Sequence, residues 1–460
     1  MALLNERAKR IVAEVPEVFS LERIAMSEKI ISELVNMMNH IHQVNYSYRF
    51  WKIVMSDYVN ALVSIKHILE KEELNRAPYL FPLNSHYLPT FKQKLMARLP
   101  SVIKHYKDPG AQSRIFKILQ NEHNIRIALP EIEAVNKDIG GTNIPLYYPL
   151  FPGFGKAHKR KRANQLADGY TDTFLRNMIR QLPQVYVEYF DGLYDHIPVH
   201  SPEHKVFHTH GMPGFYNSLI IAKYLNHGAK LYYYQHGAYY GEMIGHNSHF
   251  NESSVADEFR SWGWHIKKND VPWKAYRLEK FRLLYNECPR SAGYDFLMCY
   301  PNVIHANHGF FKGVTDHLLQ HIDDRKYKKF IARPRPIHRM FSHAGRLSFI
   351  KDNRVFIDSG LGSMAEITAK SRLVIQFNIP ATNFMECLYV DHPTIGLISN
   401  DQPTEIVKPY YSFFTQQGVM HENFESLVDH LNKVDIDEWW GALIKEPMYQ
   451  QFKNEFLRQV

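Results

Sequence analysis

Histidine and glycine are concentrated in the segment 235–249, where their types and order suit acid–base chemistry. His236 directly follows a run that reads as a strand, and Gly237 after it lets the backbone turn without a Cβ clash. Polar residues at the carboxyl ends of strands in an open α/β sheet lie where ligands bind. Histidine can act there as a general acid or base, and a carboxylate as a base or nucleophile. The predicted catalytic residues are His236, Glu242 and His210, and the predicted acceptor or cleft residues are Gln235, Gly237, Tyr240 and His246.

Each of these histidines also has a structural interpretation. A histidine that follows a strand can be a hydrogen-bonded part of the core, and this alternative stays open for His236, His210 and His246. A metal site is less favoured, because the spacings between the histidines fit no standard zinc motif. The acidic pairs Asp323-Asp324 and Asp435-Ile-Asp437 do not follow a predicted buried strand. We therefore expect chemistry that needs no metal.

A second polar cluster lies in the last third of the chain. Two arginines follow one strand-like run, and the sequence Asp358-Ser-Gly-Leu-Gly-Ser363 leads from another strand into a helix. A Gly/Ser turn that opens a helix presents backbone N–H groups to a phosphate, and arginine adds charge-assisted hydrogen bonds. A plain helix cap is the alternative. The phosphate-binding residues predicted here are Arg333, Arg335, Ser359, Gly360 and Ser363.

A third candidate site is the strand-to-helix junction 378–386. Thr382 stands at the predicted start of the helix, where it can be an N-cap or contact a phosphate. Glu386 lies one turn inside the helix and is a candidate ligand for a ribose. An ordinary helix cap is an equally open interpretation. With Asn378, these residues complete the predicted donor site.

The composition indicates a folded protein with anionic partners. The chain of 460 residues is long enough for two to three domains, and its 45% hydrophobic content excludes general disorder. The charged N-terminus, the three widely spaced cysteines and the lack of a long apolar run predict a cytoplasmic protein. The formal net charge is +8. The basic run Lys156–Arg162 is expected on a loop, either simply solvated or in contact with lipid headgroups or a polyanionic acceptor, with nucleic acid least favoured.

Two α/β segments must position these sites. Strand-like and helical runs alternate, as in parallel sheets with crossover helices, so the fold class predicted is α/β with two Rossmann-like domains that face a cleft. The predicted divisions are a helical N-terminal region (1–165) packed on the first domain, a first Rossmann-like domain (166–270), a second one (285–435) and a C-terminal helix (436–460).

Several motifs resemble those of a known family. Tyr234-Gln-His-Gly-Ala-Tyr-Tyr-Gly241, Ser261-Trp-Gly-Trp264, the unit from Asn378 to Ile395 and the aromatic helix at Phe50-Trp51 resemble surface-carbohydrate transferases of O-antigen-type gene clusters. More distantly, the chain is similar to the GT-B class, including teichoic-acid glycerophosphotransferases and capsule β-Kdo transferases. That family usually shows a Gly-Gly pair where this chain has Ala238 and Tyr239.

The resemblance implies a division of labour between the two halves. The N-terminal half is expected to hold the acceptor, with His236 and Gly237 at the catalytic turn. The C-terminal half is expected to hold the nucleotide donor, through Ser359, Ser363 and other matching residues. The implied partners are a nucleotide-sugar donor and a lipid-linked or polysaccharide acceptor, with no separate cofactor and no nucleic acid. The donor-site positions matched by the resemblance are Ser359, Ser363, Thr382 and Glu386.

The expected activity is therefore glycosyl transfer. The sugar, for which an acidic ulosonic sugar is one candidate, would pass from a nucleotide to a lipopolysaccharide, O-antigen or capsule precursor. The reaction is expected in the cytoplasm or peripherally at the inner face of the cell membrane. Two alternatives stay open: transfer of a polyol phosphate from a CDP carrier, and a non-catalytic assembly protein that binds polyanions or lipid.

Overall fold

The structure is a computed structural model, and it describes residues 21–70, 156–180, 182–197, 206–211, 214–289, 293–301, 308–334, 347–358, 362–399 and 402–459. Within this part, the chain divides into two compact units. The N-terminal unit comprises Leu21–Tyr233 and Ser254–Asp257, and the C-terminal unit comprises Tyr234–Ser253 and Glu258–Val460. The segment 235–249 therefore belongs to the same unit as the last third of the chain.

Helices form the described N-terminal region, as the three-to-four spacing of apolar residues predicts. In the first helix Ile30, Leu34 and Met38 recur at that spacing and are buried on one face. The second helix packs on the first and carries Trp51, whose ring lies 5.0 Å from that of Phe190. The helices are α1 Leu21–His42, α2 Tyr48–Glu70, α3 Ala157–Asp168, α4 Thr173–Arg180 and α5 Phe190–His196.

The basic run Lys156–Arg162 was predicted to lie on a loop, and that prediction is wrong because the run forms the first turns of α3. The prolines and glycines between Pro145 and Gly155 precede the helix in the sequence and do not interrupt it. Lys159 is buried and bonds to Asp191, and Arg160 makes two hydrogen bonds of 2.8 Å to Glu188. These internal ion pairs compensate part of the positive charge that the run carries.

A four-stranded sheet follows the helical region. Its elements are β1 Val206–Thr209, α6 Gly214–Asn226, β2 Lys230–Tyr234, α7 Asn247–Val255, β3 Glu258–Ser261, β4 Asp270–Pro272 and α8 Tyr276–Glu287. The strand order is β1-β2-β3-β4. The β1 and β2 strands pair in parallel, as do β3 and β4. The helix α6 connects the first pair, as a parallel crossover requires.

A six-stranded sheet forms the last third of the chain. Its elements are β5 Tyr294–Tyr300, α9 His308–His321, β6 Phe330–Pro334, β7 Val355–Ile357, α10 Met364–Ala369, β8 Ser371–Ile379, α11 Thr382–Tyr389, β9 Thr394–Ile398, α12 Lys408–Gln416, β10 Met420–His421 and α13 Phe424–Lys433. The strand order is β10-β9-β8-β5-β6-β7, and every neighbouring pair is parallel. On β5, Phe296 and Met298 pack in one core while Leu297 and Cys299 pack in another. Both faces of this sheet are therefore covered.

The α/β class with parallel strands and a helical N-terminal region is confirmed. The six-stranded sheet lies inside the predicted domain 285–435, whereas the four-stranded sheet ends at Pro272, just past the predicted limit 270. The segment 436–460 was predicted as one helix, but it forms two, because Pro447 starts a new helix instead of continuing the first. The two are α14 Ile436–Leu443 and α15 Pro447–Phe456. Every helix that the structure describes is too short or too polar to cross a membrane.

Candidate functional site

The loop after β2 is held in place by Gln235, which was predicted as a cleft residue. The side chain of Gln235 is buried. Its amide oxygen accepts hydrogen bonds from the backbone N–H of Trp262 at 2.8 Å and from the indole N–H of Trp264 at 2.9 Å. Its amide nitrogen donates to the Gly237 carbonyl at 2.9 Å. Gln235 therefore anchors the loop after β2 to the Trp262-Gly-Trp264 motif. The two sequence motifs, Gln235-His-Gly237 and Trp262-Gly-Trp264, thus form one local structure.

His236, the first residue of the turn, is half-buried. Its Nδ1 lies 3.1 Å from the hydroxyl oxygen of Tyr240. That hydroxyl donates to Oε1 of Glu252 at 2.9 Å. Tyr240 and Glu252 are both buried, and Glu252 is fully so. The imidazole therefore has an ordered chain of partners behind it, as a positioned acid or base requires.

Gly237 lies directly against the start of α11. A Cβ atom at this position would come within 3.2 Å of the Thr382 hydroxyl oxygen. The same hydroxyl accepts a hydrogen bond of 3.2 Å from the backbone N–H of Ala238. Thr382 was a candidate N-cap, but Ala381 occupies the N-cap position, and the Thr382 side chain bonds to the His236 turn instead of to its own helix.

Tyr239 explains the departure from the Gly-Gly pattern. Its φ of 76° lies in the left-handed region, where glycine is usual and other residues are strained by about 1–2 kcal/mol. Two contacts hold Tyr239 there. Its hydroxyl bonds to the side-chain amide of Asn378, and its backbone N–H donates to Oε1 of Glu242 at 2.9 Å. In the Gly-Gly pattern that the resemblance implies, the second glycine would stand at this position, where the backbone of this chain has a positive φ.

Glu242, a predicted catalytic residue, is enclosed by the loop. Only 1% of Glu242 is exposed. Besides the bond from Tyr239, its Oε2 accepts a hydrogen bond of 2.9 Å from the Tyr411 hydroxyl. Burial raises the pKa of Glu242 to about 8, against the smaller lowering effect of these hydrogen bonds. This geometry fits a clamp that closes the loop, and a catalytic role for Glu242 stays a prediction.

His246 packs against the aromatic side chains of the same loop. Its ring meets that of Tyr240 edge-on at 4.5 Å and stacks on Tyr239 at 5.9 Å. Burial, together with the neighbouring His249 and His236, lowers the pKa of His246 to about 3. The His246 imidazole is therefore neutral at physiological pH and packs within the loop without supplying charge.

Arg277, on α8, joins the His236 turn to α11 and was not predicted. Its Nη1 donates to the His236 carbonyl at 2.9 Å, and its Nε lies 3.5 Å from Oε1 of Glu386. Glu386, a predicted donor-site residue, also accepts a hydrogen bond of 3.3 Å from the Asn383 amide. Arg277 was missed because its partners are far away in the sequence, and a long-range contact leaves no local sequence pattern.

Arg333, which was predicted to bind phosphate, makes internal contacts, and its role toward a phosphate stays a prediction. The side chain is buried, with Nη1 3.1 Å from Oδ2 of Asp358. Its Nη2 donates to the Gly362 carbonyl at 2.6 Å. Arg333 thereby contacts described residues on both sides of the segment 359–361, namely Asp358 and Gly362. Ser363 directly precedes α10 and is exposed, and its hydroxyl makes no capping hydrogen bond.

The remaining predicted residues lie elsewhere. Arg335, Ser359 and Gly360 fall outside the described residues. His210 follows β1 and belongs to the N-terminal unit, so its catalytic role stays a prediction. Within the described ranges, no group of three or more His, Cys, Asp or Glu side chains could hold a metal ion.

The family of the chain follows from a comparison with protein-family models. The model described as "LIC12162 family transferase" matches residues 75–460, which is most of the chain. The chain belongs to the LIC12162 family of transferases. As a member of this family it is an enzyme that transfers a group. No curated protein matches the chain significantly.

Solved structures show a weaker likeness. The UDP-GlcNAc 2-epimerase of Methanocaldococcus jannaschii, in complex with UDP-GlcNAc and UDP, is 10% identical over 67% of this chain and 86% of its own, with a TM-score of 0.35. The wall teichoic acid polymerase TagF is 12% identical over 51% of this chain and 64% of its own, with a TM-score of 0.30. At such scores the likeness carries over neither substrate nor activity to the LIC12162 family transferase.

Proposed function

We propose that this transferase moves a sugar, with an acidic ulosonic sugar as one candidate, from a nucleotide-activated donor to a lipopolysaccharide, O-antigen or capsule precursor. The observation that supports this most directly is the contact between the His236 turn and α11. Ala238 donates to Thr382, and Arg277 reaches both the His236 carbonyl and Glu386. An acid–base group and residues suited to a nucleotide therefore adjoin each other within one compact unit.

In the proposed step, His236 acts on the acceptor hydroxyl. The acceptor oxygen bonds to the anomeric carbon of the sugar, and the bond from that carbon to the phosphate oxygen breaks. The nucleotide leaves with the electron pair, and the proton of the hydroxyl passes to Nε2 of His236. General-base catalysis of this kind contributes about 10²- to 10⁴-fold to the rate. Glu242 holds the loop closed in this proposal, and His210 is a second candidate acid or base.

The donor is proposed to bind at the carboxyl edge of the six-stranded sheet. Ligands of open α/β sheets bind at this edge, and the polar residues Arg333, Asp358 and Asn378 lie at or directly next to the carboxyl ends of β6, β7 and β8. Thr382, at the start of α11, would contact a phosphate, and Glu386 would contact the ribose. The full set proposed is Arg333, Arg335, Ser359, Gly360, Ser363, Asn378, Thr382 and Glu386, with Arg333 acting through its contacts with Asp358 and Gly362.

The acceptor is proposed to be lipid-linked or a polysaccharide, with no nucleic-acid partner. A lipid-linked acceptor would bring the protein to the inner face of the cell membrane from the cytoplasm. The formal net charge of +8 supports attraction to an anionic surface. No cofactor or metal is proposed, and transfer should therefore continue in the presence of a chelator. Activity that a chelator abolishes and magnesium or manganese restores would contradict that part.

The nucleotide is identified by thermal unfolding with CMP, CDP, UDP and GDP. A ligand at one hundred times its dissociation constant adds about 2.7 kcal/mol to the free energy of unfolding. The expected result is a rise in the unfolding temperature with one of the four. The variants Ser363→Ala and Glu386→Gln should weaken that shift, and the exposed, distant Glu287→Gln should leave it unchanged. No shift with any nucleotide would contradict the proposal and favour a non-catalytic binding protein.

The transferred group is identified by mass spectrometry of a membrane-extract acceptor incubated with the matching activated donor. A mass gain of one sugar residue supports glycosyl transfer, and a gain of a polyol phosphate shows the alternative phosphotransfer reaction. His236→Ala should keep the nucleotide-induced shift while turnover falls at least about a hundredfold. Turnover that survives in His236→Ala would contradict the assignment of the base.

A further inference from the structure

The direction of the hydrogen bonds behind His236 follows from the chemistry of a hydroxyl. A tyrosine hydroxyl has one hydrogen, and Tyr240 donates it to Oε1 of Glu252 at 2.9 Å. Toward His236 the Tyr240 oxygen can therefore only accept. Since the oxygen lies 3.1 Å from Nδ1, the imidazole must carry its hydrogen on Nδ1 to make this bond. The lone pair of the neutral ring then lies on Nε2.

The packing around Tyr240 holds this arrangement in place. Its ring is 2% exposed, stacks on Phe259 at 5.6 Å and meets His246 edge-on at 4.5 Å. Glu252 is 0% exposed and lies on α7, the helix that follows the loop. The series of hydrogen bonds thus runs from the half-buried His236 imidazole to the fully buried Glu252 carboxyl group. Neither partner has room to turn away without disturbing the core around it.

We propose that Tyr240 and Glu252 are positioning residues that fix the His236 imidazole in the tautomer whose lone pair lies on Nε2. This inference rests on the proposed function, in which Nε2 takes the proton of the acceptor hydroxyl. When it does so, the ring becomes a cation that donates from Nδ1 to Tyr240. The Tyr240 oxygen accepts a hydrogen bond more strongly because its own hydrogen is bonded to Glu252. The two hydrogen bonds together therefore stabilise the protonated imidazole.

Two other polar groups near His236 act differently from Tyr240. Arg277 on α8 binds the backbone carbonyl of His236, not its ring. His246, on the same loop, has a pKa lowered to about 3 by burial, so it adds no positive charge beside the ring at neutral pH. Among these contacts, the hydroxyl of Tyr240 is the group that bonds to Nδ1.

The first test compares two tyrosine variants. Tyr240→Phe removes the hydroxyl and keeps the ring. The matched control is Tyr285→Phe, because the Tyr285 hydroxyl also bonds to a histidine Nδ1, that of His392 at 2.9 Å, on a buried part of the same unit. We expect Tyr240→Phe to lower kcat about ten- to hundredfold, because the protonated imidazole loses a hydrogen bond of the strength usual for a charged group. The nucleotide-induced thermal shift should stay unchanged. Tyr285→Phe should keep the wild-type kcat.

The second test reads the tautomer itself. Nitrogen NMR of protein labelled with ¹⁵N-histidine distinguishes a protonated ring nitrogen from an unprotonated one, and the His236 signals are those that disappear in His236→Gln. The wild-type protein should show hydrogen on Nδ1, and Tyr240→Phe should show a mixture of tautomers. Glu252→Gln keeps an acceptor oxygen for Tyr240, so it should keep the wild-type tautomer and lose less kcat than Tyr240→Phe.

The outcomes separate this inference from the proposed function. A wild-type kcat in Tyr240→Phe, together with an inactive His236→Ala, would overturn the positioning role and leave the base assignment standing. Equal losses in Tyr240→Phe and Tyr285→Phe would overturn it too, since the effect would then be general. If Tyr240→Phe does not fold, wild-type protein with hydrogen on Nε2 still overturns the inference. A fully active His236→Ala contradicts the proposed function itself.

Discussion

Replacing Glu242 by glutamine should make the protein more stable, and increasingly so as the pH rises. Burial raises the pKa of the Glu242 carboxyl to about 8 in the folded state, whereas an unfolded glutamate titrates near its ordinary value of 4.5. Between these values the folded state holds a proton that the unfolded state has released. Stability therefore falls with rising pH across this window in the wild type, and the variant lacks this dependence.

The size of the effect follows from the width of that window. Each pKa unit corresponds to 1.36 kcal/mol, so the stability difference between Glu242→Gln and the wild type should grow by roughly 3–4 kcal/mol from pH 5 to pH 8. Glutamine can keep the local contacts. Its oxygen can accept from the Tyr239 N–H, and its amide group can bond to the Tyr411 hydroxyl in place of Oε2.

The assay is urea unfolding at several pH values, followed by the fluorescence of Trp262 and Trp264, which bond to the start of the loop. The control is Glu287→Gln, at an exposed position of the same unit, and its stability difference should stay nearly constant. A constant difference in Glu242→Gln as well would refute the reasoning about burial. A folded Glu242→Gln whose turnover falls a hundredfold would show that the carboxyl group is catalytic and not a clamp.

Three further predictions concern contacts described above. Gly237→Ala should lower kcat several-fold, because its Cβ would press on Thr382; an unaffected variant would show that the turn can shift freely. Arg277→Met should lower kcat and destabilise by about 1 kcal/mol through the lost hydrogen bond, measured by kinetics and urea unfolding, and a wild-type kcat would limit Arg277 to a structural role. Asp191→Asn should destabilise the N-terminal unit by a few kcal/mol at neutral pH, because buried Lys159 loses its carboxylate, with no change in vesicle binding. Burial raises the pKa of Asp191, but hydrogen bonds from its histidine and lysine partners outweigh this and hold it well below the usual range, so the deficit should shrink as the pH falls below about 4; a deficit that persists unchanged in acid would contradict this origin.

Much of the fold could be predicted because local patterns determine it. Two examples are the strands Val355–Ile357 and Thr394–Ile398, which are short apolar runs in the segment predicted to alternate strands with helices. The run Lys156–Arg162 was mistaken for a loop because it follows a stretch rich in proline and glycine. Its acidic partners Glu188 and Asp191 lie about thirty residues further along, and their pairing is decided by packing.

The candidate site, too, could be predicted only as far as local sequence patterns reach. The turn of His236 and Gly237 was predicted from a strand followed by glycine, which is a local signal. Arg277 and Glu252 were missed, because each is linked to the turn through a contact made only after folding. Thr382 was identified, but its hydroxyl serves the His236 turn and not its own helix. Patterns of neighbouring residues indicate where polar groups gather and leave their partners undetermined.

The division of the chain at Tyr234, Ser254 and Glu258 bears on how new specificities could be made in this family. A chimera joined between the predicted domains, near residue 270, would pair the loop of one parent with the Thr382, Asn378 and Arg277 of the other. Such a protein would combine side chains that were never selected together. Chimeras that move residues 234–253 along with residues 258–460 keep these contacts from a single parent, and they should yield active enzymes more often.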